Sequence, residues 1–188
     1  MLASGRMNPS PNLFLVGPMA AGKSSIGRRL ARRYGLPFVD LDAEIVARTG
    51  ASVNLIFEHE GEAGFRDREA QVLEDVSGRH GVVLATGGGS VLAAGNRRLL
   101  RERGFVVWLR ATVEQQLART ANDRTRPLLA TPDRHGRLET LAREREPLYA
   151  EVADHAFEGG RLGAGAASER LAGELEGRWR REPPASAA

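Results

Sequence analysis

The chain has 188 residues, 41% of them apolar and 27% charged, and no cysteine, which suits one domain with its own core and excludes disulfides and cysteine-based zinc sites. Its formal charge of +3 comes from bases interleaved with Asp and Glu along the chain; the high isoelectric point reflects arginine's failure to titrate, so nucleic acid is not an expected partner. No apolar run approaches the roughly 18 residues of a membrane span, and the opening MLASGRMNPSPN lacks a secretory hydrophobic stretch, so a cytoplasmic protein without membrane contact is expected.

Leu13 to Val16 reads as a short buried strand that runs straight into Gly17-Pro-Met-Ala-Ala-Gly22-Lys23-Ser24, a match to the phosphate-loop pattern G-x-x-x-x-G-K-[ST]. A helix is predicted next: Ile26, Leu30 and Ala31 recur at helical spacing, Arg28, Arg29, Arg32 and Arg33 take the other face, and Gly35 with Pro37 ends the run. Strand, glycine loop and helix form the context that gives the motif its chemistry. The loop amides and the helix N-terminus converge on an anion, so Pro18, Met19, Ala20, Ala21, Gly22, Lys23, Ser24 and Ser25 are the expected ATP-binding residues. Lys23 is the one lysine among 27 strong bases, a mobile ammonium suited to the outer phosphates, and the Ser24 hydroxyl is a ligand for Mg²⁺.

Pro37 to Val39 is a second strand candidate, followed by Asp40-Leu-Asp42. Either both carboxylates face the site, being two apart on extended chain, or Asp42 caps a helix running from Ala43 to Thr49. Val82 to Ala85 is the third candidate and opens into Thr86-Gly87-Gly88-Gly89, whose bare amides permit close approach to a ligand. Phe105 to Leu109 is the fourth, and Thr112 with Gln115 forms a capping box for the helix carrying Leu117 and Ala118. The polar stretch from 121 to 136 is long for a connection inside a compact domain and reads as a functional lid or as disordered chain. His155 to Phe157 completes five strands, and Arg178-Trp179-Arg180-Arg181 precedes a tail rich in Pro and Ala.

Short apolar runs alternating with amphipathic helices predict an α/β fold, a parallel sheet with helices on both faces, in which ligands bind beyond the carboxyl ends of the strands. A single domain over 11–180 is expected, with flexible ends at 1–10 and 181–188. His59, His80, His135 and His155 are scattered without metal-ligand spacing. With no long apolar stripe left over once the core is assigned, the chain is expected to be a monomer.

Further arginines stand in distinctive settings: Phe65-Arg66 after Gly61, Arg126-Pro-Leu-Leu in the polar stretch, and Arg145-Glu-Pro-Leu-Tyr149. Together with GPMAAGKS, VDLD and TGGG in this order, they make the chain resemble the shikimate kinase family from about Leu13 to Tyr149. The resemblance implies a three-layer P-loop fold with five parallel strands and a mobile lid, and transfer of the γ-phosphate of ATP to the 3-hydroxyl of shikimate with one Mg²⁺. By resemblance, Arg66 and Arg145 hold the acceptor carboxylate and Gly87, Gly88 and Gly89 seat its ring. Asp42 takes hydrogen bonds from the hydroxyls and is a candidate base, and Asp40 joins Ser24 at the metal. Arg126 swings from the lid onto the phosphates, Arg119 packs along the adenine, and Arg161 is offered for the adenine loop. An arginine fork is the chemistry that a small carboxylate-bearing polyol needs. Ala20 departs from the glycine that many members carry, and no carboxylate ends the third strand. Two rival readings are another small-metabolite or nucleotide kinase of the same fold, such as a gluconate kinase, and a P-loop module without turnover.

Overall fold

Five strands form one parallel sheet: β1 (Leu13–Val16), β2 (Phe38–Asp40), β3 (Val83–Ala85), β4 (Phe105–Arg110) and β5 (His155–Glu158), in the order β2-β3-β1-β4-β5. The structure is a computed structural model that describes residues 10–121, 123 and 127–181. All five strands fall where the apolar runs predict them. The central strand β1 is buried throughout, which is why it reads as a continuous apolar run and not as an alternating one. Phe14 and Val16 enter one core, and Leu13 and Leu15 enter the other.

Helices α1 (Lys23–Tyr34) and α7 (Ala164–Leu175) cover the second of these faces, through Ile26 and Leu30 of α1 and Leu171 and Leu175 of α7. The first face takes α2 (Leu41–Thr49), α3 (Val53–Ser77), α4 (Ala94–Arg103) and α6 (Arg134–Val152). A short α5 (Val113–Thr120) lies between β4 and α6, and its capping box forms as predicted, with Thr112 accepting from the Gln115 amide and Gln115 returning the bond. The long α3 is two helices in effect, because Gly61 breaks it at φ 69° and ψ −176°, a conformation open to glycine alone. Phe65 and Arg66 are thereby carried on a separately aimed segment.

The strand order changes sense at β1: the connection leaving β1 runs toward β2 at one edge of the sheet, and that leaving β4 runs toward β5 at the other. That is the switch point at which open α/β sheets leave a crevice, and the glycine loop emerges there.

At the opposite, amino end, the Asn12 side chain donates to the carbonyls of Arg79 (2.8 Å) and Arg103 (3.0 Å) and accepts from the Val82 amide (3.0 Å). Ser10 is buried, and its carbonyl accepts from the Trp179 indole at 2.8 Å. Trp179 stands edge-on to Tyr34 with 5.2 Å between ring centroids. The basic run around it is therefore a packed element ahead of residues 182–188, which lie outside the described residues, as do 1–9.

Candidate active site

The glycine loop is shaped by backbone demands that few sequences meet. Gly17 has φ 139°, and a β-carbon there would run into the Leu109 carbonyl. Ala20 is the one non-glycine residue with positive φ (58°) among the described residues, at a cost of about 1–2 kcal/mol. Lys23 opens α1 and is 9% exposed. Its ammonium donates to the carbonyls of Gly17 (2.8 Å) and Pro18 (2.7 Å), folding back over its own loop.

Ser24 follows on α1, and its hydroxyl donates to the Asp40 carboxylate. The other Asp40 oxygen accepts from the Ala43 amide at 3.3 Å and so caps α2. This corrects the expectation for the helix: the cap is Asp40, the helix begins at Leu41 and not at Ala43, and Asp42 sits in the first turn. The extended geometry supposed for both carboxylates ends at Asp40. Both nevertheless border one cavity of about 360 Å³, together with Lys23, Ser24, Thr86 and Gly87.

A second cavity, of about 410 Å³, adjoins the first and shares Asp42, Gly87 and Gly88 with it. Its wall carries two guanidiniums that lie near the glycine turn, those of Arg66 and Arg145. Gly89 lies against Arg66, where any β-carbon would displace the guanidinium, and a methyl on Gly88 would stand 3.6 Å from Arg145 Nη1. Arg145 is 4% exposed, and its Nε has no hydrogen-bond acceptor among the described residues. A buried guanidinium with unused donor capacity suits an incoming carboxylate. Phe57 and Phe65 supply the apolar side of this cavity, and Pro127 and Leu128 border its mouth.

Asp42 occupies the wall common to both cavities. Its side chain is exposed to the open cavities, and the protein atoms packed about that opening are what desolvate the carboxyl. Burial pushes its carboxyl up to about 6, helped by Glu69 and Asp40 and opposed by Lys23 and Arg66. A carboxylate near neutrality beside two cationic side chains is poised to take a proton.

Two residues of this site were not legible as such in the sequence. Glu69 is fully buried, pairs with Arg66 at 2.7 Å and accepts from the Ser90 hydroxyl at 2.6 Å. The one signal for it was its place three residues after Arg66 on the same helix. Tyr149 is buried one turn beyond Arg145, with its hydroxyl donating to the Gly88 carbonyl.

A third cavity, of about 400 Å³, continues on the other side of the phosphate loop and shares Ala20 and Gly22 with the first. Arg119 spans it, donating to the carbonyls of Ala20 (2.9 Å) and Gly160 (3.3 Å). Arg161 is exposed, and its neighbours Gly160 and Leu162 form the wall in its place. Arg126 lies outside the described residues. No cluster of three metal-ligating His, Cys, Asp or Glu occurs among the described residues, so a cation here must draw on the Ser24 hydroxyl, Asp40 and oxygens of a bound ligand. That donor set suits hard, octahedral Mg²⁺, which binds through few protein groups and completes its shell with phosphate and water.

Three adjoining cavities thus border the phosphate loop and the glycine turn, which follow β1 and β3. The family model described as shikimate kinase matches residues 19–175. A shikimate kinase of Xanthomonas campestris pv. campestris is 51% identical over 174 residues, covering 93% of this chain and 97% of that protein, and one of Bordetella avium is 58% identical over 150 residues, covering 80% and 72%. The solved structure of shikimate kinase from Acinetobacter baumannii in complex with shikimate superposes with a TM-score of 0.87 at 45% identity, covering 89% of this chain and 94% of that one. The chain belongs to the shikimate kinase family.

Proposed function

We propose that this enzyme transfers the γ-phosphoryl group of ATP to the 3-hydroxyl of shikimate, giving shikimate 3-phosphate and ADP. The observation that carries the reading is the position of Asp42, on the wall shared by the phosphate cavity and the arginine-lined acceptor cavity. The acceptor oxygen forms the new bond to the γ-phosphorus, the bond to the β,γ-bridging oxygen breaks, and the acceptor proton passes to Asp42. Because the transition state is loose, most of the acceleration comes from alignment and charge neutralisation. Lys23 and the loop amides supply the charge on one side. Arg66 and Arg145 align the acceptor through its carboxylate on the other. Arg119 is assigned to the adenine, and Arg126 to the phosphates from the lid. Mg²⁺, held by Ser24 and Asp40, would neutralise charge on the outer phosphate oxygens. ATP is supplied in the cytoplasm, and the exposed large apolar side chains Val46, Leu55 and Leu162 are scattered singly, which supports a cytoplasmic monomer.

Purified protein with Mg-ATP is expected to release ADP only when shikimate is added, followed by a coupled assay with gluconate and nucleoside monophosphates as controls. Equal ADP release without shikimate overturns the assignment. Arg145→Ala is expected to raise the shikimate KM by about a hundredfold, the scale of two charge-assisted hydrogen bonds, with the ATP KM within about twofold of wild type. An unchanged shikimate KM removes Arg145 from the acceptor cavity.

A further inference from the structure

We infer that Tyr149 is a positioning residue for the acceptor, setting the orientation of the Gly88–Gly89 peptide through its hydroxyl. This role rests on shikimate being the acceptor. The Tyr149 ring is 1% exposed and packs against Trp108 with 5.8 Å between centroids, so the hydroxyl has a fixed location. From there it donates to the Gly88 carbonyl. A trans peptide is planar, with its N–H opposed to its C=O. Holding the Gly88 carbonyl against α6 therefore turns the Gly89 amide away from that helix, and both glycines border the acceptor cavity.

Glycines need such a restraint more than other residues do, since three in succession leave the backbone free to rotate. The rest of the turn is already tied down. The Thr86 amide and hydroxyl both bond the Leu15 carbonyl at 3.1 Å, the Ser90 hydroxyl bonds Glu69, and Asn96 donates to the Ser90 carbonyl at 2.9 Å. The peptide between Gly88 and Gly89 takes its restraint from Tyr149. Arg145 stands one helical turn earlier on α6, and its Nη1 lies 3.6 Å from where a β-carbon on Gly88 would be. The phenol and the guanidinium that grips the acceptor carboxylate thus project from one helix onto the same turn, and the phenol holds the backbone that seats the ring.

The test is Tyr149→Phe, which deletes the hydroxyl and keeps the ring, compared with Val152→Ala, which loosens the same helix without touching the turn. The expected result for Tyr149→Phe is a rise in shikimate KM of about tenfold, the scale of one lost hydrogen bond, with the ATP KM unchanged. Val152→Ala should lower the melting temperature at least as much while leaving the shikimate KM at the wild-type value. A wild-type shikimate KM in Tyr149→Phe overturns the inference, as does an equal rise in both variants. Wild-type protein that fails to turn over shikimate overturns the assigned reaction first, and this role with it.

Discussion

Lys23→Met is expected to lower turnover by about a thousandfold or more, the range seen when a cation at a phosphoryl-transfer transition state is removed, while the protein remains folded. Methionine keeps nearly the length and volume of the lysine stem, so the apolar part of the side chain still packs. What disappears is the ammonium, now held at 2.7 and 2.8 Å from the carbonyls of Pro18 and Gly17. Those carbonyls hold the charge at the root of the loop, within reach of any polyphosphate seated on the loop amides. The charge borders the cavity shared with Ser24 and Asp40, and a cation already fixed in place stabilises developing charge better than mobile solvent does. Steady-state turnover in the coupled assay, beside a circular-dichroism melt within a few degrees of wild type, checks the prediction. A variant that kept most of its activity would move the nucleotide elsewhere.

Asp42→Asn should reduce kcat by about a hundredfold to a thousandfold, as for a lost general base, and should remove the acid limb of the pH profile. In the wild type, kcat/KM is expected to fall as pH drops below about 6, where burial and the neighbouring Glu69 and Asp40 have raised the carboxyl and protonation removes the acceptor for the hydroxyl proton. The asparagine variant has no group to titrate there, so its residual activity should be flat between pH 5 and 8.

The same shift carries a stability consequence of definite sign. Its folded pKa is raised above the unfolded value of 3.8, so the folded protein binds this proton more tightly. That contribution to stability is fully present below the unfolded value and is lost as pH rises through about 6. At pH 8 the ionised carboxylate is a burden on the fold, and Asp42→Asn should melt at or above the wild-type temperature. Melts at pH 5 and pH 8 read this directly: the gap in favour of the variant should be larger at pH 8. A carboxylate whose ionised form costs stability is the expected trade at an active site.

The strands, the phosphate loop and the glycine turn were legible because each is a local pattern, an apolar run followed by residues that only a tight, amide-lined turn requires. The Asp40-Leu-Asp42 stretch was misread in part because two identical residues flank one leucine, and spacing alone cannot say which carboxylate caps. The structure gives the cap to Asp40, which leaves Asp42 free to face the cavities. The contacts of Glu69 and Tyr149 were not legible for a different reason. Their partners Ser90 and Gly88 lie 21 and 61 positions away, and no periodicity encodes a contact of that range. The burial of Trp179 was not legible for the same cause, since it depends on Ser10 near the other end of the chain.

That last contact shows how the molecule divides its labour. The knot formed by Ser10, Asn12 and Trp179 cinches the first and last described segments at the end of the sheet remote from every cavity. The ligand-bearing rim is built instead from glycines, a positive-φ alanine and side chains that bridge separate loops. The two sets share no residue, so loosening the knot is expected to act on stability and altering the rim on ligand binding.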